Sequence, residues 1–289
     1  MCGIGGDLFI LFYLAREGKV KVLNASGRSP YQATRDFFLK RGMKEIPEKG
    51  ILTATVPGAV DGWATAIENF GTMPLDILLQ RAIEYAEKGF PVYKELSRVI
   101  EDSSSLLRKC PGSERIFLKN GRPPKTGQLL VQRDLAESLK KIAHGGREAF
   151  YRGEIGRALV KFSRENEGLF TEKDLEDHRS PWVRPIETEY RGYRICAVPP
   201  NSQGIALLMQ ANILENFDLV KLGHNSAEYV HLLVEIKKLV FADRDKYVCD
   251  PDFHSIPVEK MLSKVYVRQQ VPRIDSNRAA SSVSPTDFS

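Results

Sequence analysis

Arg28 is the side chain of this 289-residue sequence with the plainest chemical opportunity. It stands in Ala25-Ser26-Gly27-Arg28-Ser29-Pro30, a polar break between an alternating run at 19–24 and a helix expected from about Tyr31 to Lys40. A guanidinium in a strand-to-helix loop can bind both oxygens of a carboxylate at once, which an ammonium cannot. A solvated loop arginine is the other reading of the same residue. Further groups are less pointed. His231 and Glu235 lie one helical turn apart with His224 before them, but there is no HExxH, so a surface pair or a core histidine accounts for them. Asp243, Asp245, Asp250 and Asp252 lack the glycine and spacing of a calcium loop. The glycines of Gly3-Ile4-Gly5-Gly6-Asp7 miss the GxGxxG spacing and precede a strand, which suits a tight turn better than a phosphate cradle. Cys2, Cys110, Cys196 and Cys249 form no CxxC pair, which argues against structural zinc or a disulfide framework. No GxSxG elbow occurs, and the five histidines are scattered. No metal and no cofactor is expected.

The elements that must hold such residues are easier to read. Residues 185–218 give two β-like runs, 186–190 and 193–198, joined at Arg191-Gly192, where Gly192 can take the positive φ of a tight hairpin. Pro199-Pro200 ends strand pairing, because neither residue has an N–H to donate. Asn201-Ser202-Gln203-Gly204 is a polar elbow, and Ile205 opens an apolar helix over 205–216. Upstream, the apolar run 8–14, read as a central strand, and 19–24 suggest a hairpin. Residues 53–57 read as a strand ended by Pro57-Gly58, followed by a small-residue helix. Pro74 should start a helix that stops at Gly89. Helices are also expected over 91–109, 129–143 and 154–166, and over 172–178 behind a Thr171–Asp174 capping box. A last one runs from about Ser226 to Arg244, with Tyr229, Leu232, Leu233, Ile236, Leu239 and Val240 on one face.

Composition narrows the class. With 42% hydrophobic residues the chain can bury a substantial core in one or two domains. Its net charge of +5 comes from 42 basic and 37 acidic residues interspersed, with no Lys/Arg block, so nucleic acid is a poor partner. The apolar runs are too short to cross a bilayer, so no membrane is expected, and no signal-peptide pattern is present; the compartment is not legible. Residues 276–289 are small and polar and read as a disordered tail behind a folded region spanning 1–275.

Read as strings, several segments resemble the γ-glutamyltransferase (γ-glutamyltranspeptidase) family over nearly all of residues 2–272. They are Val56-Pro-Gly-Ala-Val60, Phe70-Gly-Thr-Met-Pro74, the Ala86-Glu-Lys-Gly-Phe-Pro-Val92 run and Gly145-Gly-Arg-Glu-Ala-Phe-Tyr-Arg-Gly153. Tyr190-Arg-Gly-Tyr193 followed by Pro199-Pro-Asn-Ser-Gln-Gly204 completes them. The resemblance implies an α/β (α+β) fold, the N-terminal-nucleophile hydrolase αββα sandwich, of which this chain would be the helix-rich large-subunit portion. It also implies a partner, a small subunit from the same precursor led by a threonine. That threonine's hydroxyl is the nucleophile and its own amine the base. The substrate would be a γ-glutamyl amide such as glutathione, and no cofactor would be needed. No catalytic residue is assigned within this chain, since Thr286 is followed only by Asp287-Phe288-Ser289. Such a chain should leave sheet edges uncovered and be inactive alone. Arg28 matches the family's carboxylate-binding loop, but the usual Arg-Glu-x-Ala-Pro would put arginine at the position of Ser26, four before Pro30. That departure is similar to a divergent, acylase-like branch, so an amide hydrolase of other acyl specificity stays open, as does a non-catalytic binding protein.

Overall fold

The computed structural model describes residues 3–288 and divides into two compact units, residues 3–8 with 25–180 and residues 9–24 with 181–288. The first unit is helical. It contains α1 (Arg35–Lys40), α2 (Ala59–Phe70), α3 (Leu75–Lys88), α4 (Lys94–Asp102), α5 (Ser104–Leu107), α6 (Pro111–Phe117), α7 (Arg133–Tyr151), α8 (Glu154–Glu165) and α9 (Glu172–Glu176). The two-residue strands β3 (Phe90–Pro91) and β4 (Leu129–Leu130) pair antiparallel. Leu75, Leu79, Ile83 and Ala86 recur at helical spacing on α3 and pack with Ala136, Leu139 and Ile142 of α7. Burial of such side chains stabilises by roughly 1.5–3 kcal/mol for each large one. Gly89 closes α3 at φ 88°, a conformation that penalises any residue with a Cβ. Gly146 interrupts α7 at φ 55°, ψ −142°, which bends the helix at the Gly145-Gly146 pair.

The structure differs from the expected elements in several places here, beginning with α1, which starts at Arg35 rather than about Tyr31 because Thr34 caps it. Residues 54–58 lie in no strand; they connect the turn at Ile51–Thr53 to α2. The helix expected over 91–109 is broken into α4 and α5. The helix expected from 129 begins at Arg133, because Leu129–Leu130 pair with Phe90–Pro91. It also runs past 143, through the glycine kink.

The second unit carries β1 (Leu8–Leu14), β2 (Lys19–Ala25) and β5 (Trp182–Val183) in the order β1-β2-β5. Strand β1 is therefore an edge strand, not the central one that its apolarity suggested. Its Phe9, Leu11 and Tyr13 alternate outward and are exposed. The hairpin of β6 (Ile186–Tyr190) and β7 (Tyr193–Ala197) turns at Arg191 and Gly192, both with positive φ. Then follow α10 (Gly204–Leu214), α11 (Leu219–Leu222), α12 (Ala227–Tyr247), α13 (Val258–Met261) and α14 (Lys264–Gln270). Helix α10 is apolar nearly all round and is buried. Its Gly204 approaches so closely that a Cβ would lie 2.3 Å from the Val198 carbonyl oxygen.

The segment expected as a disordered tail is docked. Residues 276–288 form no helix or strand, yet Ala280 donates to Glu235 (3.0 Å) and Thr286 Oγ1 donates to Asp243 Oδ2 (2.9 Å). Arg273 and Tyr247 bond the carbonyls of Ser284 and Thr286, each at 2.7 Å, and Phe288 packs with Tyr247 and Tyr266. Composition alone misses this because the partners are acids on α12 far away in sequence. Cys2 and Ser289 lie outside the described residues.

Candidate functional site

Arg28 lies in the loop between β2 and α1, and the backbone of that loop is fixed at three points. Gly27 donates its N–H to Asp7 Oδ1 (2.9 Å), the Arg28 carbonyl accepts from Val56 N–H (2.9 Å), and Tyr31 N–H donates to Asp174 Oδ1 (2.7 Å). The contact with Val56 is intimate. A Cβ on Gly27 would lie 1.6 Å from the Val56 carbonyl oxygen, so only glycine fits. Pro30 is buried while Arg28 and Ser29 are exposed. The loop therefore carries an exposed Arg28 on a backbone fixed at three points.

Each fastening has a reason in the local sequence. The turn Gly3–Gly6 closes on itself (Gly6 N–H to Gly3 O, 3.0 Å), and the Gly6 carbonyl accepts from Ala59 at the start of α2 (2.9 Å). The glycine segment thus serves backbone approach and places Asp7. Asp174 is the capping-box residue of α9: its Oδ2 accepts the Thr171 N–H (2.7 Å) and hydroxyl (2.6 Å), which leaves Oδ1 for Tyr31. Tyr31 also donates its hydroxyl to Asp177 (3.0 Å), which Lys173 holds at 2.6 Å. Lys173 first and Tyr31 second hold the Asp177 carboxyl below the usual range, while the bond to Asp177 raises the Tyr31 phenol.

Beneath the loop lies a buried polar cluster that sequence reading missed. Asp61, in the first turn of α2, is 2% exposed; its Oδ1 takes the Nε–H of Arg147, and the same guanidinium donates to the carbonyl of His178. The kink at Gly146 sets where Arg147 leaves α7. Tyr151, one turn on, donates its hydroxyl to the Pro57 carbonyl (2.6 Å) and accepts the Asp61 N–H (3.1 Å). The His178 ring stacks on Tyr151 at 5.5 Å. Its Nε2 and Asp61 Oδ2 face each other at 3.9 Å, and both are buried without a hydrogen-bond partner. Burial drives the His178 imidazole below its ordinary value; Asp61 opposes this, and Arg147 adds to it. A run such as Asp61-Gly-Trp gives no sign of burial by itself. The available signal was the short VPGxVD segment met by Arg147 of the glycine-led string.

The other candidate groups are engaged elsewhere. His231 contacts the Asp275 carbonyl (2.7 Å), Glu235 holds Lys238 (2.7 Å) and Ala280, and Asp243 accepts from Tyr266 (2.8 Å) and Thr286. Among the described residues no three His, Cys, Asp or Glu side chains converge as metal donors would. No described helix is long and apolar enough to cross a membrane.

Comparison with known proteins agrees with this architecture. The family model described as Gamma-glutamyltranspeptidase matches residues 1–288. The glutathione hydrolase-like YwrD proenzyme of Bacillus subtilis (strain 168) is 42% identical over 275 residues, covering 95% of this chain and 52% of that protein. The acylase ACY 1 proenzyme of Pseudomonas sp. (strain V22) is 41% identical over 97% of this chain and 52% of its own length. The chain thus spans about half the length of these relatives. Among solved structures, Helicobacter pylori γ-glutamyltranspeptidase superposes with a TM-score of 0.91 at 32% identity, over 98% of this chain and 82% of that one.

Proposed function

The chain belongs to the gamma-glutamyltranspeptidase family, with the helix-rich large-subunit fold of its N-terminal-nucleophile hydrolases, and from that premise we propose that it is one half of an amide-cleaving acyl-transfer enzyme. The reading rests chiefly on one observation: the family match runs through residues 1–288, and within it the exposed Arg28 stands on a loop whose backbone is pinned by Asp7, Val56 and Asp174. Arg28 would bind the carboxylate of a γ-glutamyl substrate such as glutathione through two parallel N–H donors. The nucleophile would be the threonine of a partner subunit. Its hydroxyl adds to the amide carbonyl, its amine takes the proton and passes it to the departing nitrogen, and a threonyl ester remains for water or an amino acid to attack. Both relatives are proenzymes by name, and the match to about half their length leaves room for such a partner. The exposed Phe9, Leu11 and Tyr13 on the edge strand β1 offer apolar surface for it to cover.

A second reading is an acylase acting on another acyl group. Arg28 sits two residues before Pro30 with Ser26 at the usual arginine position, and an acylase is among the relatives at 41% identity. One assay set separates these outcomes. The purified chain should not hydrolyse a γ-glutamyl anilide alone, since binding without a nucleophile cannot accelerate chemistry. Turnover should appear with a Thr-led partner and weaken in Arg28→Ala by about 2–4 kcal/mol in kcat/KM, with Arg28→Lys recovering part. Turnover by the chain alone would refute the division of labour. Activity of the pair on other acyl amides but not on γ-glutamyl ones would select the acylase reading.

A further inference from the structure

We infer that His178, Asp61 and Arg147 form a buried bracket that positions the backbone carrying Arg28, and that the bracket loosens when His178 takes up a proton. The bracket is joined to the loop through backbone with no slack. Gly58 separates them: a Cβ there would lie 3.2 Å from His178 Nε2 and 2.0 Å from the Ala25 carbonyl oxygen. On one side of Gly58, Pro57 takes the Tyr151 hydroxyl and Val56 holds the Arg28 carbonyl; on the other, Asp61 begins the ion pair. A displacement of the imidazole must therefore pass into residues 25 and 56–58, and from there into the Arg28 loop.

The gap between His178 Nε2 and Asp61 Oδ2, 3.9 Å, is too long for a hydrogen bond, and both atoms are buried with no protein partner. Nothing in the bracket is satisfied by the neutral ring at that atom, and a charged ring would meet mixed company. From α2 it faces Asp61 and from the segment before β1 Asp7, both favourable. From α7 it faces Arg147, and from its own segment Arg179, both unfavourable; the Tyr151 ring covers one side. Arg147 already neutralises Asp61, so burial decides, and the charged ring favours any state in which it reaches water. The sign follows. The closed loop binds the proton less well than an open one, so closure is complete above about pH 6.5, the ordinary histidine value. It weakens as pH falls below that value, until the imidazole of the closed form itself becomes charged.

The inference concerns the loop and holds whether or not Arg28 meets a carboxylate; only its consequence for substrate binding rests on the function proposed above. Amide hydrogen exchange of the intact chain from pH 8 to 5, corrected for intrinsic rates, tests it by reading backbone alone. Protection at Gly27, Tyr31 and Val56 should fall by up to about tenfold per pH unit below 6.5, while Ile236 and Leu239 in the second unit keep theirs. His178→Phe, which keeps a stacking ring but cannot be protonated, should abolish the step. Loop protection that is flat across this range, or an unchanged step in His178→Phe, overturns the inference. Should that variant not fold, the imidazole proton resonance of His178 in the unaltered chain takes its place. A midpoint below 6.5 shared with the loop amides supports the bracket, and an imidazole titrating without them overturns it.

Discussion

Asp61 and Asp243 are both almost fully buried, at 2% and 0% exposure, and each unit handles its carboxylate differently. Around Asp243 every donor is neutral: Tyr266 and Thr286 give hydroxyls to Oδ2, and the Thr286 N–H reaches Oδ1. Nearby, Gln270 donates to Thr286 Oγ1 at 2.9 Å and accepts from Arg273 at 2.7 Å, so the network closes on itself. Around Asp61 the main donor is a cation, and one carboxylate oxygen is left facing a histidine that has no partner either. A saturated buried acid fixes a segment, whereas a half-saturated one leaves a position where a proton can change the balance. The first arrangement holds residues 280–288 against α12, and the second lies under the loop that carries Arg28.

The comparison is sharpened most by removing the cation. Arg147→Met should destabilise the chain by about 3–5 kcal/mol, because it strands a buried carboxylate. Adding Asp61→Asn should return part of that loss, measurable as a non-additive pair in urea denaturation. Next comes Asp243→Ala, expected to cost about 2–3 kcal/mol by removing the acceptor of the buried Tyr266 hydroxyl and of the half-buried Thr286 hydroxyl and N–H. Proteolysis should then reach residues 280–288 before the rest unfolds, and unchanged resistance there would end the view that Asp243 holds this segment. A smaller effect is the pH dependence. The depressed His178 should make stability decline as pH falls from about 6.5, by at most about 1.4 kcal/mol per unit, and His178→Phe should flatten that part of the curve. The smallest is Thr286→Val, about 1 kcal/mol for one hydroxyl with two partners, which a careful thermal scan resolves. A loss from Thr286→Val as large as that from Asp243→Ala would mean that the neutral network is not shared as described.

The Pro74 start and Gly89 stop of α3, the Arg191-Gly192 hairpin, the Thr171 capping box and the apolar α10 were all legible in the sequence, because each is decided within a dozen residues by side-chain spacing or by one residue's dihedral freedom. The family strings were legible for the same reason. Arg28 was readable as a loop arginine, but its fastening was not. Asp7, Val56 and Asp174 reach it from three separate segments, and the clearance that demands glycine at residue 27 exists only once Val56 is in place. The apolar face of α12 was read correctly at Leu232, Ile236, Leu239 and Val240, but that same face also buries Glu235 and Asp243. Charged residues count as surface until their partners are known, and those partners are Tyr266 on α14 and Ala280 and Thr286 in the segment that composition alone presented as a free tail. Likewise nothing within the sequence of α2 marks Asp61 as buried. Asp61 has a cation for its main donor, and it took the bend at Gly146 to bring Arg147 there. Local propensity and periodicity thus decided many of the elements, while strand pairing and kinks moved the ends of others. Long-range pairing of buried polar groups, whose cost depends on partners far along the chain, decided what those elements hold in place.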